Sequence, residues 1–295
     1  MPAQIISGTE IAKQIREELK QEIAELKEKH NLTPGLVTVL VGEDPASQVY
    51  VGSKVKTCEA LGVYSERHDL PADTSEEELL TLIDKLNKDP KIHGILVQLP
   101  LPKHINETTV LYAIDPKKDV DGFHPVNVGK LMIGEPDYLP CTPHGIQQLL
   151  IRSGVKIEGA EVVVVGRSNI VGKPIANILL QKRKGANATV TVCHTGTQDI
   201  SFHTKRADIL IVAAGKPKAI TADMVKEGVV VIDVGVNRIG KTAEGKAILA
   251  GDVDFDSVQE KAKAITPVPG GVGPMTIIML MLNTVKAAKL AAGLV

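Results

Sequence analysis

The chain has 295 residues, which is long enough for two domains with substantial apolar cores. Hydrophobic residues make up 43% of it and charged residues 23%, a balance typical of folded globular proteins rather than disordered ones. The net charge of −1 and the aromatic content of 2% argue against a general attraction to nucleic acid and against stacking platforms for single strands.

The first half of the chain alternates between helical and aliphatic-strand patterns. A helix is predicted to begin near Ser7, because Ser7 and Glu10 have the spacing of a capping box and apolar residues then recur at helical intervals. A second helix is predicted over "PASQVYVGSKVKTCEALG", ending at Gly62, and a third over residues 75–87. A buried strand is predicted at "LVTVLVG", and further strands are predicted near residues 63–69 and at "GILVQLPL". This alternation indicates parallel α/β units.

Loop signals accumulate from Asp115 to Pro143, and a second α/β series follows a helix predicted at about 143–153. Its predicted strands are "EVVVVG", "ATVTVCH", "DILIVAAG" and "VVVIDVG". This order is typical of a Rossmann-like, doubly wound parallel sheet. An apolar helix, "PMTIIMLMLNTVKAAKLAAG", ends the chain. We therefore predict two α/β domains with a cleft between them, one formed by residues 1–140 and 270–295 and the other by residues 141–269.

The stretch "VVVVGRSNIVGKP" joins a buried strand to a predicted helix through a glycine. Gly166 would end the strand, and the N-terminus of the following helix would stabilise the negative charge of a pyrophosphate. The spacing departs from G-x-G-x-x-G, because Ser168 stands at the second glycine position and the next glycine is Gly172. The motif alone fits a tight connection as well as a dinucleotide-binding turn, and the order of the strands favours the second interpretation.

The end of the next strand bears on the choice of cofactor. It reads "VTVCHT", with no carboxylate to hold the ribose 2′-hydroxyl of NAD. Thr195 offers a hydroxyl at this strand end, and Arg167 extends from the first turn. This chemistry favours NADP, although Arg167 could also be a solvated loop residue and Thr195 a simple strand end.

Tyr50 and Lys54 stand one helical turn apart, so their side chains share a face. A Tyr-x-x-x-Lys pair also occurs in short-chain dehydrogenases, but there it follows the dinucleotide turn, whereas here it precedes Gly166. On spacing alone, such a pair is more often an ordinary helix face than a catalytic pair.

Three further segments are unusual for simple connectors. "VQLPLP" places Gln98 at the carboxyl end of a buried strand, where α/β proteins commonly bind ligands. "KDVDG" places Asp119 and Asp121 before Gly122, which fits either a binding site or an Asx turn. "TPVPGGVGPMT" would let a flat ligand approach the backbone around Gly270, unless it is only a structural turn.

Spacing predicts no metal site, since no cluster of His, Cys and Asp has the spacing of metal ligands. The histidines near these segments are assigned no catalytic role. Cys58, Cys141 and Cys193 form no Cys-x-x-Cys pair, which fits a reducing compartment. With no signal peptide and no apolar run of about 18 residues, a cytoplasmic protein without membrane or nucleic-acid partners is predicted.

Taken together, these segments resemble the bifunctional methylenetetrahydrofolate dehydrogenase–methenyltetrahydrofolate cyclohydrolase family. The matching segments, which follow the family order across nearly the whole chain, are "YVGSK", "VQLPLP", "KDVDGFHPVNVGKL", "PCTPHGI", "GRSNIVGKP", "VIDVGVN", "GDVDF" and "TPVPGGVGPMT". The resemblance implies oxidation of 5,10-methylenetetrahydrofolate with NADP+ and hydrolysis of the methenyl product to 10-formyltetrahydrofolate. It also implies a role in one-carbon metabolism and purine biosynthesis, and a homodimer.

The resemblance further implies roles for individual residues. Catalytic roles are implied for Lys54, Tyr50 and Gln98. Substrate contacts are implied for Tyr50, Lys54, Gln98, Asp121, Pro269 and Gly270. Cofactor contacts are implied for Gly166, Arg167, Ser168, Thr195 and Val236. Residues 1–140 and 270–295 would then form the folate-binding catalytic domain, and residues 141–269 the NADP-binding domain. Many relatives have a basic residue after "CHS", whereas this chain reads "CHTGT" and has the uncharged Gly196 there.

Two other interpretations stay open on the sequence. One is a different NADP-dependent two-domain dehydrogenase that acts on a cyclic hydroxy acid. The other is a non-catalytic nucleotide-binding regulator, which would bind the cofactor without turnover. The joint presence of Tyr50, Lys54, Gln98 and Asp121 argues against the regulator.

Overall fold

The computed structural model describes residues 3–242, 245 and 247–295. Its helices are α1 (Gly8–His30), α2 (Pro45–Leu61), α3 (Glu76–Lys88), α4 (Glu107–Ala113), α5 (Pro125–Ile133), α6 (Cys141–Arg152), α7 (Gly172–Leu180), α8 (Ile200–Thr204), α9 (Phe255–Val258) and α10 (Val272–Ala291). Its strands are β1 (Gln4–Ile5), β2 (Gly35–Val41), β3 (Tyr64–Leu70), β4 (Gly94–Val97), β5 (Glu161–Val165), β6 (Thr189–Cys193), β7 (Ile209–Val212), β8 (Val230–Asp233), β9 (Asn237–Lys241), β10 (Ala247–Ala250) and β11 (Ala264–Ile265). Within these described residues, each helix is either too short or too polar to cross a membrane.

The chain divides into two compact units. The six-stranded unit contains the residues up to Lys13 together with Thr142–Thr276, and the three-stranded unit contains Gln14–Cys141 and Ile277–Val295. This division differs from the one predicted chiefly in two places, since the residues up to Lys13 and residues 270–276 belong to the six-stranded unit. At the N-terminus the physical reason is that β1 pairs in parallel with β11, which draws the first residues into the six-stranded sheet.

In the three-stranded unit, the parallel sheet has the order β3-β2-β4. Every residue of β2 is buried, as expected of a central parallel strand covered on both faces. Helix α2 follows with its N-terminus capped by the Asp44 carboxylate, which accepts a hydrogen bond from the Ser47 N–H. It ends at Gly62, whose φ of 75° is the left-handed conformation that glycine adopts without strain. The predicted helix end at Gly62 is confirmed.

Helix α5 lies inside the segment that the sequence predicts to be loop. The loop prediction is wrong over Pro125–Ile133, because the residues that signal a loop are here the two ends of a helix. Pro125 occupies the first helical position, where its missing N–H is not needed, and Gly134 ends the helix with a φ of 88°. His124 caps the N-terminus, since its Nδ1 accepts a hydrogen bond from the Val126 N–H.

In the six-stranded unit, the sheet has the order β1-β11-β8-β7-β5-β6, and each pairing is parallel. The strands β5, β7 and β8 consist mostly of buried Val, Ile and Leu, as the sequence predicts. Because β5 lies between β6 and β7, the strand order reverses at β5. The predicted doubly wound, Rossmann-like sheet is therefore confirmed, and ligands of such sheets bind beside the carboxyl ends of the strands at this reversal.

Candidate active site

Lys54 lies on α2 with only 5% of its surface exposed. Its Nζ donates a hydrogen bond to Gln98 Oε1 at 2.9 Å and lies 4.7 Å from the centroid of the Tyr50 ring. The spacing along α2 brings Tyr50 and Lys54 onto one face, as predicted. The parallel pairing of β2 with β4 carries Gln98, which directly follows β4, to the same place. The Tyr50–Lys54 pair and Gln98, which the sequence singled out separately, therefore form one cluster.

The orientation of the Gln98 amide is fixed by a second hydrogen bond. Its Nε2 donates to the Leu99 carbonyl oxygen at 2.7 Å, so Oε1 is the atom that faces Lys54. An ammonium group has three donors, and Gln98 accepts one of them while the ring of Tyr50 offers its electron-rich face. The amide thus aims Nζ without carrying a charge of its own.

Burial disfavours the charged forms of Lys54 and of the nearby Asp121. It lowers the pKa of Lys54, although attraction to Asp121 acts in the opposite direction. Burial also raises the pKa of Asp121, opposed by attraction to Lys54 and by a hydrogen bond with Cys141. An amine whose protonated and neutral forms are brought closer in free energy can accept and return a proton, which is the requirement for acid–base catalysis.

Cys141 is a neighbour of this cluster that the sequence analysis did not single out for function. Burial raises the pKa of Cys141 well above its usual value, and proximity to Asp121 raises it further. The residue is therefore a neutral thiol, and its Sγ donates to the Val120 carbonyl at 3.4 Å. A neutral, buried thiol is a poor nucleophile and contributes packing and a weak hydrogen bond here.

The loop that carries Asp121 is held by two buried polar side chains. The Asp119 carboxylate accepts hydrogen bonds from the N–H groups of Phe123 and His124, at 3.2 and 2.8 Å. Asn283 of α10 donates through Nδ2 to the carbonyl of Val120 at 2.7 Å. Asp119 therefore performs the turn-forming role that "KDVDG" suggested, which leaves the carboxylate of Asp121 available for another role. The sequence signal for Asn283 was a single amide within a strongly apolar helix.

In the six-stranded unit, the turn after β5 depends on two glycines. Gly166 has a φ of 130°, and a Cβ there would lie 2.2 Å from the carbonyl oxygen of Ala213. A Cβ on Gly172 would lie 2.2 Å from the carbonyl oxygen of Gly166, so α7 begins immediately beside the turn. Ser168 Oγ accepts a hydrogen bond from the Val171 N–H at 3.1 Å and so covers one of the free donors at the start of α7. This spacing of glycines builds a tight strand-to-helix turn without the usual second glycine.

The remaining predicted cofactor residues lie at the same end of the sheet. We call the carboxyl ends of β5, β6, β7 and β8, with the loops that follow them, the carboxyl edge. Arg167 is exposed after β5, Thr195 is exposed just beyond β6, and Val236 is 61% exposed just beyond β8. The backbone of a glycine turn, one cation and one hydroxyl on this edge fit the phosphates of a dinucleotide.

Pro269 and Gly270 follow β11 and belong to the six-stranded unit, whereas Lys54, Gln98 and Asp121 belong to the three-stranded unit. The Gly270 carbonyl accepts a hydrogen bond from the Thr9 N–H at 3.1 Å. The expected contacts of Pro269 and Gly270 with the substrate stay predictions.

Comparison with known proteins identifies the family of the chain. Residues 6–121 match the family model of the tetrahydrofolate dehydrogenase/cyclohydrolase catalytic domain. Residues 140–292 match the model of the tetrahydrofolate dehydrogenase/cyclohydrolase NAD(P)-binding domain. The chain belongs to the tetrahydrofolate dehydrogenase/cyclohydrolase family. The resemblance inferred from the motifs is thereby confirmed.

Individual relatives match over essentially their whole length. The chain is 72% identical over 294 residues to the bifunctional protein FolD of Syntrophus aciditrophicus, covering 100% of both chains. It is similar to the crystal structure of the FolD methylenetetrahydrofolate dehydrogenase/cyclohydrolase of Campylobacter jejuni, with 50% identity, a TM-score of 0.91, and coverage of 98% of this chain and 99% of the other. The Trypanosoma brucei methylenetetrahydrofolate dehydrogenase-cyclohydrolase, solved with NADP cofactor and inhibitor, is 40% identical with a TM-score of 0.94 and coverage of 99% of each chain.

Proposed function

We propose that this protein oxidises 5,10-methylenetetrahydrofolate to 5,10-methenyltetrahydrofolate with NADP+ and then hydrolyses the methenyl product to 10-formyltetrahydrofolate. The observation that carries the proposal is the buried Lys54, aimed by Gln98 and lying over Tyr50, in a chain of the tetrahydrofolate dehydrogenase/cyclohydrolase family. The relatives named above as bifunctional enzymes, one of them solved with NADP, support it. The dehydrogenase for a cyclic hydroxy acid and the non-catalytic regulator are not favoured.

The oxidation needs orientation more than acid–base help. The carbon that loses hydride bridges two nitrogens, and their lone pairs stabilise the cation that remains. Bound NADP+ would supply the hydride acceptor. On the protein side, Gly166 and Ser168 would hold the pyrophosphate and Arg167 would pair with the 2′-phosphate. Thr195 would lie near that phosphate, and Val236 would pack beside the cofactor.

The hydrolysis needs a group that moves protons. Water attacks the methenyl carbon and loses a proton, after which a ring nitrogen gains a proton as its bond to that carbon breaks. Lys54 in its neutral form would accept the proton from water, and the resulting ammonium would return one to the departing nitrogen. Gln98 Oε1 would keep Nζ directed at the reacting carbon, and Tyr50 would pack along the substrate. Asp121 would accept hydrogen bonds from the amino edge of the pterin, with Pro269 and Gly270 lining the folate site.

The finer parts of the proposal rest on the family resemblance. In this proposal residues 1–140 and 270–295 serve folate and residues 141–269 serve NADP. The protein acts as a homodimer in the cytoplasm, and its formyl product supplies purine biosynthesis. Light scattering of the purified protein in solution tests the homodimer directly.

Turnover of pure protein tests the proposed function. Methylenetetrahydrofolate is supplied with NADP+ and separately with NAD+, and nicotinamide reduction and methenyl absorbance are followed together. Methenyltetrahydrofolate is then supplied alone, and its disappearance reports hydrolysis. We expect both reactions, with NADP+ preferred. Absence of methylenetetrahydrofolate oxidation with either cofactor would overturn the proposal.

A further inference from the structure

Asp252 is a fully buried carboxylate that no step above uses. Its Oδ2 accepts hydrogen bonds from the N–H groups of Ala214 and Gly215, at 2.6 and 2.8 Å. Its Oδ1 accepts a hydrogen bond from Asn237 Nδ2 at 2.8 Å. Ala214 and Gly215 lie just after β7 and Asn237 just after Val236, so one carboxylate joins two loops of the carboxyl edge.

Asp233, the last residue of β8, is a second buried carboxylate with 3% exposure. Its Oδ1 accepts hydrogen bonds from the N–H groups of Gly235 and Asp252, both at 3.0 Å. Its Oδ2 accepts from the Val253 N–H at 3.0 Å. The N–H of Asp252 thus donates to the carboxylate of Asp233, and each of these contacts to the two carboxylates is made by a hydrogen-bond donor.

The backbone around the pair leaves no room for side chains. A Cβ on Gly235 would lie 2.2 Å from Oδ1 of Asp252, and a Cβ on Gly251 would lie 1.8 Å from Oδ2 of Asp233. Glycines at these two positions let the main chain approach the carboxylates closely enough for the N–H bonds to form. The segments "VIDVGVN" and "GDVDF" therefore form a single hydrogen-bonded structure around the two carboxylates.

These bonds act on residues that face the proposed cofactor. Val236 lies between Gly235, bonded to Asp233, and Asn237, bonded to Asp252, so its backbone is fixed on both sides while its side chain stays exposed. The loop after β7 is also in contact with the glycine turn, because Ala213 limits the space at Gly166. The pair therefore sets the positions of three segments of the carboxyl edge.

We propose that Asp233 and Asp252 are positioning residues for the cofactor, which hold the loops after β7 and β8 in the conformation that receives NADP(H). This inference rests on the proposed function. A carboxylate suits the task because both of its oxygens accept hydrogen bonds, and each oxygen here faces at least one donor. An amide of the same shape cannot replace Asp233, since its NH₂ group would face a backbone N–H at either end. At position 252 an amide would face a donor unless Asn237 turned its own amide over and lost its hydrogen bond to the Ala250 carbonyl.

The substitution Asp252→Asn tests this at constant volume, with Asp256→Asn as the matched control, an exposed carboxylate on the neighbouring α9. KM for NADP+, KM for methylenetetrahydrofolate and hydrolysis of supplied methenyltetrahydrofolate are measured for each protein. We expect KM for NADP+ to rise by about tenfold or more in Asp252→Asn and to be unchanged in Asp256→Asn. Hydrolysis should be retained, since Lys54, Tyr50 and Gln98 lie in the other unit.

An unchanged KM for NADP+ in a folded Asp252→Asn protein would overturn the proposal. So would equal losses in cofactor KM, folate KM and hydrolysis in that folded protein, which would show a general structural role. If Asp252→Asn does not fold, the milder substitution Asn237→Ala is tested with the same assays, since it removes one hydrogen-bond donor to Asp252. A rise of severalfold in KM for NADP+ with intact hydrolysis supports the proposal, and no rise overturns it. Wild-type turnover is measured first, so a failure of the proposed function itself is seen separately.

Discussion

The substitution Lys54→Met separates the two proposed reactions. Methionine keeps an unbranched apolar stem of similar length and removes the amine. Hydrolysis depends on that amine for proton transfer and is expected to fall by about 10²–10⁴-fold, a rise of roughly 3–5.5 kcal/mol in its barrier. Oxidation is driven by the nitrogen lone pairs of the substrate and should survive in part, reduced only by altered packing against Tyr50.

The structure also gives the expected change in stability. The substitution removes the hydrogen bond from Nζ to the half-buried Gln98 Oε1, a loss of about 1 kcal/mol. It also removes an ammonium group whose charged form is disfavoured by burial, as its lowered pKa indicates. These two effects oppose each other, so the free energy of unfolding should change by no more than about 1 kcal/mol. A loss of hydrolysis would then not be a result of unfolding.

The assay measures methenyl formation and hydrolysis of supplied methenyltetrahydrofolate separately on the same preparation, together with a urea unfolding curve. Lys56→Met is the matched control, because Lys56 lies on the same helix with its side chain exposed. It should leave both reactions unchanged. Undiminished hydrolysis in folded Lys54→Met would remove Lys54 from the mechanism and leave the Tyr50–Lys54 pair as an ordinary helix face.

Three further predictions follow from the described residues. Arg167→Ala should weaken NADP+ binding by about 1.5–3 kcal/mol and NAD+ binding much less, through the lost phosphate contact; equal losses in titrations with the two cofactors would contradict the assignment. Asp121→Ala should abolish productive folate binding and leave the Kd for NADP+ nearly intact, and a collapse of NADP+ binding in the folded variant would refute a folate role. His93 accepts a hydrogen bond from the Gly35 N–H at 3.0 Å, and burial, with the nearby charge of Lys118, lowers the pKa of His93 below its usual 6.5. The folded state therefore binds a proton on His93 more weakly than the unfolded chain does. The contribution of neutral His93 to the free energy of unfolding is fully present above about pH 6.5 and is lost as the pH falls through the folded-state pKa. The urea midpoint of unfolding should therefore fall more from pH 7 to pH 5.5 in the wild type than in His93→Gln. Equal falls in the two proteins would show that His93 is not the source of this pH dependence.

The sequence by itself determined the features that depend on neighbours along the chain. The spacing of Tyr50 and Lys54 placed both on one helix face, and the structure confirms their contact. The aliphatic runs predicted β5, β7 and β8, and Gly62 predicted a helix end, because periodicity and capping are local properties. The motifs, in their order, were specific enough to give the family.

Only the tertiary structure decided which distant residues meet. Local patterns do not encode the order of strands in a sheet, so they could not show that β1 joins the six-stranded sheet. For the same reason local patterns could not show that the Asp233 carboxylate accepts a hydrogen bond from the Asp252 N–H, since the two residues come from different segments of the chain. The orientation of Gln98 toward Lys54 depends on hydrogen bonds, and the lowered pKa of Lys54 arises from burial, which is a property of the packed unit. An amine that is an ordinary cation in the extended chain becomes a candidate proton carrier only when folding excludes water from around it.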